Sequence, residues 1–133
     1  MANRLNIPSG SPFEPVIGFS RAVRVGETVY VSGTVAWGEE GEIVGKGNVY
    51  VQAKQAIRNI EKALSDAGCT LDNVVRTRVY LTDIARLEEA ALAHGEAFGE
   101  IRPASTMVQV AALATPEMLV EIEAQAVLPP PAP

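Results

Sequence analysis

The chain has 133 residues, of which 47% are hydrophobic and 20% charged, and carries a formal net charge of −5 at pH 7. That length suits one domain with a real core, and the negative charge removes counterion release on a polyanion as an obvious driving force for binding. No apolar run approaches the roughly 20 residues of a membrane helix. The N-terminus lacks the apolar segment of a secretory signal, so no membrane partner is expected. The single Cys69 excludes an internal disulfide and points to a reducing, cytoplasmic setting.

Residues 1–17 carry Pro8, Pro12 and Pro15 and little periodicity, which predicts an extended arm with room for a short edge strand. Phe19–Val25 and Thr28–Gly33 flank Gly26-Glu27, the pattern of two strands joined by a tight turn. Between Trp37 and Asn48, Gly38, Gly41, Gly45 and Gly47 lie among charged residues, a composition that predicts a mobile loop. Asn48 can cap the next helix and Gly68 can stop it. Inside, Val49, Ala53, Ala56, Ile57, Ile60, Ala63, Leu64 and Ala67 recur at helical spacing. Lys54, Arg58 and Lys62 form a basic stripe on that helix. With Glu61 and Asp66 close by it reads as a solvated face, and a nucleic-acid partner is not expected.

Val74–Leu81 alternates as a strand, with Val75, Thr77, Val79 and Leu81 on one side and Val74, Arg76, Arg78 and Tyr80 on the other. Thr82 or Asp83 can cap a second helix running to about Phe98, with Gly99 ending it. Ile84, Leu87, Ala91, His94 and Phe98 share its buried-type face. Two further segments alternate, Ala104–Val110 and Leu119–Val127, and the turn around Thr115-Pro116 predicts that they form a hairpin. In the second, Val120, Ile122, Ala124 and Ala126 oppose Glu121, Glu123 and Gln125. Such a hairpin covers helices with one side and leaves a polar side for solvent, a partner or a ligand. Residues 128–133 form a Pro-rich tail that cannot continue a sheet.

The predicted order is β-β-α-β-α-β-β: one α+β domain over residues 1–133, a two-layer fold with two helices on one face of a mixed sheet. Familiar catalytic constellations mostly fail. His94 is the only histidine and lies on an apolar helix face, where a core or interface histidine is the simpler reading. One His and one Cys show no ligand spacing for a metal. The glycines of residues 38–47 match no phosphate-loop spacing. Cys69, just past a helix stop, reads as a small structural residue.

The segment Pro103-Ala104-Ser105-Thr106-Met107-Val108-Gln109-Val110, followed by Val120-Glu121-Ile122-Glu123-Ala124, resembles the C-terminal block of the RidA/YjgF family. That family comprises imine/enamine deaminases and their non-deaminating relatives. The resemblance covers nearly the whole chain. It implies the RidA/chorismate-mutase-like fold, a homotrimer with ligand clefts between subunits, and no cofactor or metal.

Position by position, it puts Phe19 in the aromatic place of a cleft segment and Ser32-Gly33 at a strand end whose backbone approaches the ligand. Ala91 stands where a cleft Asn is usual, and Ser105 where deaminating members carry the Arg that holds the substrate carboxylate. Met107 matches the residue whose backbone holds a water, and Glu121 the glutamate that orients it. Arg21, Arg102 and Thr106 complete a pocket. Trp37 either closes the cleft or packs under the loop it opens.

Imine hydrolysis needs a poised water and a group to orient or deprotonate it, which Glu121 supplies. A 2-imino acid also needs its carboxylate held, and Ser105 offers a single neutral donor in place of a guanidinium fork. The expectation is therefore hydrolytic deamination of an imine, enamine or related C–N metabolite, with ordinary 2-imino acids poor substrates. The alternative is a non-catalytic trimer that binds or senses a small metabolite.

Overall fold

All five expected strands and both helices form, and one further strand and one short helix precede them. The computed structural model describes residues 3–129. The arm of residues 1–17 is more structured than its prolines suggest: it holds β1 (Arg4–Ile7), which pairs antiparallel with β2 (Ala22–Val25), and the one-turn α1 (Glu14–Ile17). β2 and β3 (Thr28–Thr34) form the predicted hairpin across Gly26, at φ 60°. The proline tail from 130 onward lies outside the described residues.

The hairpin expected from the last two strands does not form. β5 (Ala104–Gln109) pairs in parallel with β4 (Val74–Leu81) and lies at the sheet edge, whereas β6 (Val120–Val127) is inserted antiparallel between β3 and β4. The strand order is β1-β2-β3-β6-β4-β5. Alternation assigns faces to a strand but not neighbours. The Thr115-Pro116 turn belongs to a longer crossing in which Leu113 and Met118 join a small cluster with Val35, Ala36 and Ile43.

α2 (Val49–Asp66) starts as predicted, with Asn48 Oδ1 accepting from the Val51 amide at 2.9 Å, and stops at Gly68, whose φ is 87°. α3 (Leu87–Phe98) departs from its reading at both ends. Asp83 caps a single 3-10 turn, Ile84–Arg86, from which the helix continues. Gly99 stays right-handed, and the reversal falls on Arg102, at φ 57°, whose amide donates to the Phe98 carbonyl. The face turned to the core is Ala90, Ala93 and Phe98, while Ile84 is exposed and Ala91 and His94 are half-buried. That turn rotates the helix phase away from one extrapolated from Thr82 or Asp83.

The helices pack on one side of the sheet. Ile57, Ile60, Leu64 and Phe98 meet Val29, Val31, Val79, Leu81, Val120 and Ile122 in a continuous core. Each such burial contributes about 1.5–3 kcal/mol before chain entropy is set against it. A register shift between Val74 and Arg76 puts Val74 in the core and Val75 outside, reversing their expected faces.

Gln52 is a buried polar residue that sequence did not single out. Its Oε1 accepts from the Leu119 amide at 2.9 Å, and its Nε2 donates to the carbonyls of Glu117 at 2.9 Å and Gly45 at 3.2 Å. It thereby ties α2 to the entrance of β6 and to the glycine-rich loop. That loop is pinned elsewhere as well. Asn59 Nδ2 donates to the Trp37 carbonyl at 3.0 Å, Arg86 to the Gly47 carbonyl at 2.9 Å, and Lys46 pairs with Glu117 at 3.1 Å. Its glycines shape turns rather than confer mobility. No helix among the described residues is long and apolar enough to cross a membrane.

Candidate functional site

The residues singled out in sequence fall into two groups. The first sits where β2, β3 and β6 meet. Arg21 Nη1 donates to the Gly33 carbonyl at 2.8 Å and to Thr34 Oγ1 at 2.9 Å, and its guanidinium stands 5.8 Å from the centre of the Phe19 ring. Ser32 Oγ donates to the Arg21 carbonyl at 3.0 Å, which locks the strand end. Glu121 folds its carboxylate over Gly33 so closely that any side chain there would displace it: a Cβ on Gly33 would lie 2.5 Å from Glu121 Oε2.

The electrostatics of this group are unusual. Burial, and secondly the charge of Glu123, push the Glu121 carboxyl above its ordinary value, against the opposing pull of Arg21. Glu121 accepts no side-chain hydrogen bond among the described residues. Its neighbour Glu123 is satisfied instead, accepting from the Tyr80 hydroxyl at 2.5 Å and lying 4.0 Å from Arg78. Arg21 is half-buried too, and the same desolvation lowers its own value.

The second group lies at the β5 edge. Ser105 pairs in register with Thr77 and so shares the helix side of the sheet. Thr77 Oγ1 is 2.8 Å from His94 Nε2 and donates to Ser105 Oγ at 2.7 Å. His94 is half-buried against Phe98, ring centres 4.7 Å apart, and burial holds its value below the ordinary one. Ala91 stands one turn before His94 on α3 and brings no polar atom. Met107, paired with Val79, also turns to the helix side and packs on the core rather than joining a polar face. Thr106 points the other way, where its hydroxyl accepts from Arg76 Nη2 at 2.9 Å. Arg102 is exposed three residues before Ser105, in its left-handed turn. Trp37 is 42% exposed, and its backbone is tied to α2 by Asn59.

One chain therefore does not bring Glu121 and Ser105 together. β4 separates their strands, and they face opposite sides of the sheet. The alternation of Ala104, Thr106, Val108 and Val110 against Ser105, Met107 and Gln109 predicts the second set on the polar side; Ser105 and Met107 instead turn to the helix side, because an edge strand exposed along most of its length carries little burial pattern to read. Two cavities open beside the first group. One of about 660 Å³ is lined by Phe19, Ser20, Arg4, Asn6, Glu14 and Val23. One of about 260 Å³ lies over Tyr30, Ser32, Arg78, Glu123 and Gln125. Neither is lined by Glu121 or Ser105.

The Endoribonuclease L-PSP family model matches residues 10–128. A solved Mycobacterium tuberculosis structure, described as a member of the highly conserved YjgF/YER057c/UK114 family, superposes with a TM-score of 0.85 at 48% identity, covering 94% of this chain and 99% of that one. The chain belongs to the RidA/YjgF family. Among its relatives is the human 2-iminobutanoate/2-iminopropanoate deaminase, 37% identical over 112 residues, which are 84% of this chain and 81% of that protein. The 3-aminoacrylate deaminase RutC of Acinetobacter baylyi is 32% identical over 122 residues, 92% of this chain and 95% of that protein.

In this RidA/YjgF chain the basic stripe of α2 is largely internally paired, Lys54 with Glu96 at 3.0 Å and Lys62 with Asp66 at 3.1 Å. Arg58 Nη1 is 3.4 Å from Gln55 Oε1. Sequence reasoning missed Thr77 and Gln52. Each is a polar residue on an apolar stripe, and that mismatch was the available signal.

Proposed function

We propose that this protein is a hydrolytic deaminase of an imine, an enamine or a related C–N metabolite. It acts in a cleft between subunits of a homotrimer, with Glu121 as the group that handles water. The observation that carries the reading is the state of Glu121: a half-buried carboxylate with no side-chain hydrogen-bond donor among the described residues, its affinity for protons raised, held against the Gly33 backbone. Such a group takes a proton from water at neutral pH better than an ordinary carboxylate does. The activities named for the human and Acinetobacter relatives support the reaction class.

In the proposed step, water oxygen forms a bond to the C=N carbon while its proton moves to Glu121. The C=N π electrons go to nitrogen, which takes that proton back from Glu121 to give the neutral carbinolamine. The amine then takes a proton from solvent, Glu121 takes the hydroxyl proton as the oxygen electrons form the C=O bond, the C–N electron pair leaves with nitrogen as ammonia, and Glu121 releases its proton to solvent. The intersubunit cleft is favoured because the Glu121 group and the Ser105 group are each incomplete within one chain. β5, at the sheet edge, can carry its half of the site to a neighbour's Glu121.

A guanidinium in place of Ser105 would hold a carboxylate by two charge-assisted bonds of roughly 1.5–3 kcal/mol each. Arg21 is already committed to the Gly33 carbonyl and Thr34. Ordinary 2-imino acids are therefore poor substrates. The test is ammonia release from a panel of imines and enamines by wild type, Glu121→Gln and Ser105→Arg. Turnover by wild type that collapses in Glu121→Gln is expected, with Ser105→Arg gaining activity on 2-imino acids. Full activity of Glu121→Gln would sink the reading. A second reading, a trimer that binds or senses a metabolite, is favoured by the loss of polarity at Ala91 and of charge at Ser105. It predicts an inert wild type whose ligand affinity is unchanged by Glu121→Gln.

A further inference from the structure

We infer that Ser105 is an outward-directed hydrogen-bond donor whose direction is set by His94 through Thr77, forming a subsite for one uncharged acceptor atom such as an amide or ketone carbonyl oxygen. The inference rests on the proposal above only in taking position 105 to face the ligand.

Thr77 is fully buried, with 0% of its surface exposed, yet its hydroxyl touches two polar side chains from different elements. It lies 2.8 Å from His94 Nε2 on α3 and donates to Ser105 Oγ at 2.7 Å on β5. A hydroxyl has one proton to give. If Thr77 gives it to Ser105, it accepts from His94 and the imidazole carries its proton on Nε2; in the reverse chain Ser105 donates inward and the proton sits on Nδ1. We infer the first, because Nε2–H is the intrinsically favoured tautomer of a neutral imidazole. Ser105, already an acceptor and exposed, is left to point its own O–H outward. Each bond in such a chain polarises the next, which makes the terminal O–H a stronger donor than an isolated serine. Phe98, its ring tilted 40° against the imidazole with centres 4.7 Å apart, restricts the imidazole's rotation.

A single neutral donor matches an uncharged carbonyl better than a carboxylate. The carboxylate loses far more on leaving water, and one hydroxyl does not replace that hydration. Ala91, on the same face of α3 as His94, adds no second donor. The substrate class assigned is therefore an imine or enamine whose recognised group is an amide, ketone or similar neutral acceptor.

The test uses the full chain with 15N-labelled imidazole, unambiguous because His94 is the only histidine. Nitrogen shifts report the tautomer without any ligand, and titrations with pyruvamide and pyruvate report the subsite. The expected results are an Nε2–H tautomer and pyruvamide bound about tenfold more tightly than pyruvate. Thr77→Val, close in shape, should erase about five- to tenfold of that preference, and Thr77→Ser should restore it. An Nδ1–H tautomer overturns the inference, as does a preference unchanged in Thr77→Val. Failure of both probes to bind overturns the ligand half together with the proposed site. Because the tautomer is read first and without ligand, that failure is distinguishable from a failure of the hydrogen-bond chain.

Discussion

Gly33 and Glu121 are a matched pair: a methyl group added to the glycine would stand 2.5 Å from Oε2 and 2.8 Å from Cδ of the glutamate. The carboxylate, the far end of a flexible chain, would swing aside rather than unfold the strand. Gly33→Ala is therefore expected to keep the fold while lowering ammonia release at least about tenfold, since a displacement near 1 Å at a reacting group costs on that order or more. Far-UV circular dichroism beside a turnover assay checks this, and an unchanged rate would show that the contact is idle.

Glu121→Gln should cut turnover by about 10²- to 10⁴-fold, the usual contribution of a general base. It should also remove the acidic limb of the pH–rate profile, which in wild type lies above the ordinary carboxylate value of 4.5 because burial raises Glu121. The linked stability effect has a definite sign. A carboxyl whose folded value is raised stabilises the fold below the unfolded value, and that contribution is lost as pH rises through the folded one. Glu121→Gln should therefore be more stable than wild type at neutral pH, with the gain vanishing below about pH 4.5. Thermal melts at several pH values decide it.

Gln52→Leu keeps the volume of the side chain and deletes its amide. The Leu119 amide and the carbonyls of Glu117 and Gly45 lose their partner together. At about 1–3 kcal/mol for each buried group left unsatisfied, with partial rescue by water, the expected loss is about 2–4 kcal/mol. A lower urea midpoint with an unchanged slope is the result to look for.

His94 supplies a stability effect in the opposite pH direction. Burial lowers its folded value below the ordinary 6.5, and the groups in contact with the ring, Phe98 and Thr77, are uncharged. The contribution is present above pH 6.5 and is lost as pH falls through the folded value. Relative to His94→Gln, wild type should lose stability on acidification from pH 7 to 5. The difference between the two proteins isolates the histidine from the opposing effect of Glu121.

The layers, both long helices and the two faces of β6 were legible because each rests on periodicity, which is local. The placement of β6 was not, since a strand's alternation is the same whichever strands flank it. The faces of β5 were misread separately: exposed along most of its length, that strand carries no burial alternation to mark the side on which Ser105 and Met107 lie. The bulge at Val75 had the same kind of effect over a shorter range: one extra residue inverts a two-residue period, and nothing in Val74-Val75 marks where it falls. Glu121 was found through its family position, and the physical reason for its state, a glycine that leaves room for a carboxylate, became apparent only in three dimensions. Thr77 was hidden by its own pattern, being a β-branched residue in a β-branched strand.

The insertion of β6 between β3 and β4 also sets the order in which the chain can assemble. Val120–Val127 is the seam of the sheet, yet it leaves the ribosome after the other five strands of that sheet. Until then β1–β3 and β4–β5 form two separate blocks with no strand in common and, at the seam, two unpaired edges. Closure must wait for contacts of long sequence separation, which slows folding and leaves those edges open to pairing with another chain. A nascent chain stalled before Val120 should therefore remain sensitive to protease, and one released just past Val127 should become resistant in a single step.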